Sequence, residues 1–312
     1  MRVFVTGGTG YLGRAVVRAL AARGHDLVVF GRTATRSGLP GQAIDGDVRD
    51  APAIERAAVG CDAISHSAAL VSIWRHRRQD FDDVNVGGLR NVLAAAHSLG
   101  IRRIVYTSSF LALTPRDLRA PIAANDYQRT KVAADRLGDE AVRDGSPLIR
   151  VYPGVIYGPG TVTEGNLIGR LIADHLRGRL PGLVGPENLW SYAYVDDVAR
   201  GHCAALERGA DGARYMLGGE NAPQSRVFGL VQQITGKRIP RRIPFPIADA
   251  LGGAEELRVT LFGGTPLITR GAVEIFRHDW SLDSSEASRH LGYTMTPLDE
   301  GIRRTVAELS RS

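Results

Sequence analysis

The chain has 312 residues, 44% of them hydrophobic, and a net charge of +6. That is enough apolar material for a substantial core, in one large domain or in one domain with a smaller companion. No run approaches the roughly 18 apolar residues of a membrane span, two cysteines are too few for a disulfide framework, and scattered basic residues with 6% aromatics argue against a nucleic-acid surface. The first strand begins at Arg2, so no signal peptide is expected ahead of it, and a reducing cytoplasm is the expected location. Lysine occurs only at Lys131 and Lys237, which draws attention to the places where an amine is kept.

Val3, Phe4 and Val5 read as a buried strand. A turn over 6–13 follows, with Gly7, Gly10 and Gly13, and then a helical pattern through Leu12, Val16, Val17 and Leu20. Strand, glycine turn, helix is the context in which glycines let the backbone approach a pyrophosphate at a helix N-terminus. Gly7, Thr9, Gly10, Tyr11, Leu12 and Gly13 are therefore candidate dinucleotide contacts; the alternative is an ordinary tight turn without a ligand. A second strand is expected over 25–30. Where an NAD-binding unit carries a carboxylate for the ribose hydroxyl, this chain has Gly31-Arg32. Nothing there repels a 2′-phosphate and Arg32, assisted by Arg36, can pair with one. NADP(H) is favoured over NAD(H); two solvated loop arginines are the alternative reading.

A third strand is expected over 43–47. Asp47 and Val48 follow it, where an adenine edge can be read, and Asp47 is also placed to cap a helix over 51–59. A fourth strand, 61–65, leads to His66-Ser67-Ala68-Ala69. Ser67, Ala68 and Ala69 are small enough for a cofactor to lie against the backbone. His66 reads as a packed histidine, since no second His or Cys stands at ligand spacing, and no metal site is expected. The basic loop 74–78 is either a solvated surface or the rim of a substrate site. A long helix is expected over 81–99, with Asn85 near the cofactor, and a fifth strand over 102–107 that ends in Ser108-Ser109.

The helix expected over 125–143 carries Tyr127 and Lys131, which share a face at i, i+4. A free phenol titrates near ~10, and an adjacent ammonium is expected to lower that value. Such a tyrosine can act as a general acid–base, with a serine hydroxyl from the neighbouring strand end holding a carbonyl oxygen.

These pieces resemble the extended short-chain dehydrogenase/reductase family. The matching motifs are TGGTGYLG at 6–13, DV at 47–48, HSAA at 66–69, NVGGLRN at 85–91, YTSS at 106–109 and YQRTK at 127–131. Further on come RVYPGVIYGPG at 150–160, YVDDVARG at 194–201 and DSSEASRHLGY at 283–293. The resemblance implies an α/β doubly wound parallel-sheet Rossmann fold over 1–155, with segments returning at about 191–218. It also implies a smaller C-terminal α/β substrate domain assembled mainly from 156–312 in discontinuous pieces. By position it assigns Ser109, Tyr127 and Lys131 as the catalytic set, with Ser108 as fallback, and adds Thr107, Tyr127, Lys131 (which is to hold the ribose), Pro153 and Val155 to the cofactor contacts. Strands over 192–195 and 214–217 are expected to return to the first domain, and helices are expected over 166–177, 222–234 and 246–262.

Sugar-nucleotide members generally place an arginine ahead of the YxxVDDVA-type strand to hold the diphosphate; here Leu189-Trp190-Ser191 stands in that position. An indole cannot pair with a diphosphate. Trp190, Tyr192, Phe228 and Phe262 suit an apolar pocket, although core packing is the better reading for Phe228 and Phe262. The segment 266–270 is similar to the dihydroflavonol-reductase-like branch. The expectation is an NADP(H)-dependent reductase of a small-molecule ketone or aldehyde. It is expected to act as a homodimer through the helices over 81–99 and 125–143, without nucleic-acid or membrane partners. The rivals are an NDP-sugar epimerase or dehydratase with tightly held NAD(P), and a non-catalytic dinucleotide sensor.

Overall fold

The side chains of β1 (Arg2–Thr6) alternate between two apolar clusters: Val3 and Val5 enter one, Phe4 the other. A strand buried on both faces needs helices on both sides of its sheet. The computed structural model, which describes residues 1–311, has that arrangement. In chain order, α1 (Tyr11–Ala22), β2 (Asp26–Gly31), β3 (Gln42–Asp45), α2 (Ala51–Ala58) and β4 (Ala63–His66) are followed by a single helical run. That run consists of α3 (Gln79–Phe81), a π-turn over Asp82–Gly87 and α4 (Gly88–Ser98). Next come β5 (Ile104–Thr107), α5 (Asp126–Arg143), β6 (Leu148–Pro153), β7 (Val155–Tyr157) and α6 (Leu167–Leu176). The chain continues with β8 (Leu183–Val184), β9 (Leu189–Tyr194), α7 (Val195–Arg208), β10 (Arg214–Leu217), β11 (Glu220–Pro223) and α8 (Gln224–Thr235). It ends with β12 (Arg242–Ile243), α9 (Phe245–Phe262), α10 (Arg270–Phe276), α11 (Ser285–Leu291) and α12 (Leu298–Leu309).

Seven strands form one parallel sheet in the order β10-β6-β5-β4-β1-β2-β3. Residues of α1, α7 and α11 share the cluster on one face; residues of α2, α4 and α5 share the other. The strand order reverses between β1 and β4, so a crevice opens beyond their carboxyl ends, where sheets of this kind take ligands. β11, β9 and β7 make a second, three-stranded sheet, and β12 pairs with β8. No helix among the described residues is long and apolar enough to cross a membrane. Both cysteines are buried and unpaired.

Several local expectations shift. β4 reaches His66 because Thr6 and His66 stand opposite each other in register. Of the two strands expected to return to the first domain, β10 joins the seven-stranded sheet. The other, β9, pairs with β7 and β11, and Val195 already starts α7. Ala222 belongs to β11, not to the helix that follows. The long helix is helical throughout, but its second turn widens to π geometry around the buried Asn85; such turns collect at functional sites. Phe228 is core, as expected. Phe262 is not: it is exposed at the end of α9.

Candidate active site

The opening turn is shaped by close packing. A Cβ on Gly7 would lie 2.4 Å from the Ala68 backbone, and one on Gly13 would lie 2.0 Å from the Gly7 carbonyl oxygen. The turn after β1 is thus pressed both against the loop after β4 and against α1. Gly7 also holds a positive φ of 75°, which favours glycine. At the start of α1, Gly10 offers no side-chain cap and the first turn carries no carboxylate. Open amides at a helix N-terminus whose first turn carries no carboxylate of its own fit a pyrophosphate.

The candidate contacts around this turn divide into two groups. The Ser67 amide and hydroxyl both donate to the Thr6 carbonyl (3.1 and 2.9 Å), fixing the 67–69 loop beside Gly7. Arg32 is exposed at the end of β2, close enough to Asp47 to lower its carboxyl pKa. The larger cause of that shift is Arg49, which clamps Asp47 through both guanidinium arms at 3.0 and 2.7 Å. The cap of α2 is Asp50, not Asp47. Val48 is core; its carbonyl accepts from Asn91, and its side chain lies under Gly88. The Tyr11 ring packs on Gly158 and Gly160 in the loop after β7, so of this residue the amide faces the turn.

Asn85 supports the crevice from behind. Its Oδ1 accepts from the Leu70 amide at 2.7 Å, and its Nδ2 donates to Thr130 Oγ1 at 2.9 Å and to the Leu70 carbonyl at 3.3 Å. One amide side chain therefore ties the loop after β4 to α5. Arg78, from the basic loop, donates to Asp126 at 2.9 and 3.0 Å, so that loop is moored at the first turn of α5.

α5 places the phenol and the amine. Asn125 caps it by accepting from the Gln128 amide at 2.8 Å. Gln128 in turn accepts from Ala124 through its side chain at 3.0 Å and donates to the Leu111 carbonyl at 3.3 Å. This reciprocal cap joins the helix start to the segment after β5, and so sets Tyr127 relative to Ser109. The Asn-x-x-Gln spacing is a signal the sequence reading passed over. The Ser109 hydroxyl lies close enough to the Tyr127 phenol to lower its pKa, and it accepts from the Leu111 amide at 3.2 Å. Ser108 instead points to the other side and donates to Asp135 at 3.3 Å.

Lys131 is buried. Its amine donates to the Thr107 carbonyl at 2.9 Å and to the Tyr106 hydroxyl at 3.4 Å, with the Tyr106 ring 5.0 Å away. Burial lowers its pKa to about 7, opposed by the charge of Asp135. The expected effect of Lys131 on the phenol does not appear. Burial raises the Tyr127 pKa to about 12, and the Ser109 hydrogen bond recovers only part of that. Removing a phenolate from water outweighs one neutral donor, and the amine is turned toward the end of β5. Asp135, which the sequence reading missed, is a buried hub: it receives Tyr152 at 2.5 Å, Arg214 at 3.1 Å and Ser108. The Thr107 hydroxyl donates to His202 at 2.9 Å, so only its carbonyl faces Lys131.

His66 is a packed histidine. It shares a 2.6 Å hydrogen bond with Thr6 and stacks on Tyr106. Burial, reinforced by the Lys131 charge, lowers its pKa to about 3, and burial lowers that of His202 to about 4. Both rings stay neutral in the folded chain while the unfolded chain takes up protons below the ordinary 6.5, so folding stability falls as pH drops through that window. Tm should therefore decline between pH 6.5 and pH 4, and His202→Asn should make the slope shallower. A flat Tm in a thermal-melt series over this window would contradict neutral burial of the two rings.

Toward the second sheet the surroundings are aromatic. Tyr127 packs against a cluster that includes Phe110, Trp190 and Trp280. Trp190 is buried, stacked on Phe276 at 5.0 Å and tilted to Phe110 at 5.9 Å. Beside this cluster lies a cleft of about 220 Å³ lined by Phe110, Leu113, Met216, Trp280 and Leu282, with Arg116 at its rim. Val155 joins the same cluster, while Pro153 ends β6 opposite Leu217.

Comparison with known proteins agrees with this fold. The sequence profile of the NAD dependent epimerase/dehydratase family matches residues 3–218. A sterol demethylase protein B of Methylococcus capsulatus is 32% identical over 95% of this chain and 94% of its own. A 2-alkyl-3-oxoalkanoate reductase of Stenotrophomonas maltophilia is 30% identical over 98% of this chain and 99% of its own. Among solved structures, that of gox2253 superposes with a TM-score of 0.83 at 30% identity, covering 99% of this chain and 98% of the other.

Proposed function

The chain belongs to the NAD dependent epimerase/dehydratase family, of the extended short-chain dehydrogenase/reductase type, and from that premise we propose that it is an NADP(H)-dependent reductase of ketones or aldehydes on small apolar molecules. The observation that carries this reading is that Tyr127, with Ser109 beside its hydroxyl, packs against an aromatic cluster that includes Phe110, Trp190 and Trp280. Trp190 occupies the place in which sugar-nucleotide enzymes keep an arginine, and it is locked there by stacking on Phe276. The relative named as a 2-alkyl-3-oxoalkanoate reductase supports carbonyl reduction, and the one named as a sterol demethylase component supports an apolar substrate.

In this reading the α1 amides hold the pyrophosphate, Arg32 meets the 2′-phosphate, and the 67–69 loop, Pro153 and Val155 flank the nicotinamide half. When bound, the dinucleotide supplies the hydride. Tyr127 donates the proton to the carbonyl oxygen, Ser109 positions that oxygen, and Lys131 holds the ribose.

A panel of ketones, aldehydes and sugar nucleotides, followed by NADPH oxidation, tests the proposal. Turnover is expected on ketones or aldehydes and none on sugar nucleotides. A dinucleotide that stays bound through purification, with no net NADPH oxidation on any carbonyl, would point instead to an epimerase or dehydratase. Arg32→Ala should raise KM for NADPH about ten-fold and leave that for NADH unchanged; equal effects on both would remove the basis for the NADP(H) preference.

A further inference from the structure

The segment between β5 and α5 walls the aromatic cleft on one side, and it is tied down at two neighbouring residues. The Arg116 amide donates to the Asp279 carbonyl at 2.9 Å, and Arg116 Nε donates to the Ser281 carbonyl at 3.3 Å. Asp117 accepts two bonds: the Asp279 amide donates to its Oδ1 at 3.2 Å, and His278 Nδ1 donates to its Oδ2 at 2.8 Å. Among the described residues, 118–121 add no hydrogen bond to another part of the chain. The two segments joined here are the two sides of the cleft. Leu113 and Thr114 line it from one, Trp280 and Leu282 from the other, and Phe110, the residue after Ser109, lines it as well.

His278 is the fixed half of this clasp. It is buried just beyond α10, and its Nε2 lies 3.2 Å from Glu274 Oε1, one turn back. Glu274 is held in turn by Arg277 at 3.1 Å. The Trp280 ring stands edge-on to the imidazole at 6.5 Å, its indole N–H committed to the Ile275 carbonyl at 2.9 Å. Asp117 is the movable half: its side chain is 45% exposed and it belongs to no helix or strand. A carboxylate only accepts, so the ring nitrogen facing it is the donor. Of the four bonds this is the one made by two side chains, and it is made at the rim of the cleft rather than in the core. We propose that Asp117 and His278 are positioning residues for the substrate: their bond keeps the 113–117 segment seated as a wall of the cleft, and so sets how firmly an apolar chain beside the reacting carbonyl is held. The substrate half of this inference rests on the reductase reading above; the clasp does not.

Two amides separate the bond from the ring that makes it. The side-chain nitrogen of asparagine overlays Nδ1 and that of glutamine overlays Nε2, so His278→Asn keeps the donor to Asp117 and His278→Gln keeps only the one to Glu274. Limited trypsin digestion of the full chain, read by mass spectrometry, follows cleavage after Arg116 and Arg119. His278→Gln should be cut there about ten-fold faster than the parent, and His278→Asn within about three-fold of it. Any general loss of stability from removing the ring is common to both variants and cancels between them. NADPH oxidation on methyl ketones with short and long alkyl chains gives the second readout. His278→Gln should raise KM for the long-chain ketone about ten-fold, with kcat and the short-chain KM within about two-fold of the parent, and His278→Asn should restore the long-chain KM. Equal digestion of the parent and His278→Gln would overturn the clasp, as would a His278→Asn variant that opens as far as His278→Gln. A long-chain KM that stays put in a variant that digests faster would overturn the positioning role. A parent that reduces no ketone ends the reductase reading instead, and the digestion rates still decide the clasp.

Discussion

Tyr127→Phe should lower kcat about 10²- to 10⁴-fold and leave dinucleotide affinity nearly unchanged. The phenol lies beside the Ser109 hydroxyl, and burial keeps it protonated with a pKa of about 12. A neutral phenol is the form that donates a proton, which suits carbonyl reduction. Phenylalanine keeps the ring that packs against the Phe110 and Trp190 cluster, so the fold should not change. A loss of that size corresponds to about 3–5 kcal/mol of transition-state stabilisation. Single-turnover NADPH oxidation beside a fluorescence titration of the dinucleotide separates the two quantities. A variant that keeps turnover within a few fold of the parent would remove Tyr127 from the chemistry.

Lys131→Met should abolish most activity and at the same time make the unliganded protein more stable near neutral pH. The folded amine has a pKa of about 7, against an ordinary 10.5. Between those values the unfolded chain holds the proton and the folded chain does not. The stability of the parent therefore rises with pH from about 7 to 10.5 and is at its lowest, as far as this group is concerned, below 7. Methionine fills a similar volume without a charge to desolvate. Replacing a buried ion by an apolar side chain is commonly stabilising by about 1–4 kcal/mol, or several degrees of Tm in a chain of this size. Thermal melts at a pH below 7 and another near 10 should show the variant ahead at the first and the gap closed at the second. A lower Tm for the variant at the acidic point would mean that the bonds to Thr107 and Tyr106 outweigh the desolvation of the amine. A residue that destabilises its own surroundings yet is one of only two lysines among 39 basic residues is accounted for by chemistry, not by packing.

Local pattern alone determined much of this protein. The strand, glycine turn and helix at the N-terminus, the i, i+4 pair on α5 and the alternation of buried strands are repeats of backbone geometry, and a single segment contains all the information each one needs. The family-level motifs added the catalytic assignment in the same local way. Other features depended on which elements dock together. Ser108 and Ser109 are neighbours on one strand end and point to opposite sides; only the seating of α5 decides that Ser109 meets the phenol while Ser108 turns to Asp135. Asn85 was expected at the cofactor, but its amide is committed to Leu70 and Thr130, partners 15 and 45 residues away. The phenol pKa went up, not down, because burial is a property of the assembled site and not of a spacing. Phe262 reads as core from the sequence pattern and stands in solvent because no described residue folds over it at the end of α9. In each case the deciding term is desolvation or a long-range contact, and both exist only once the elements have packed.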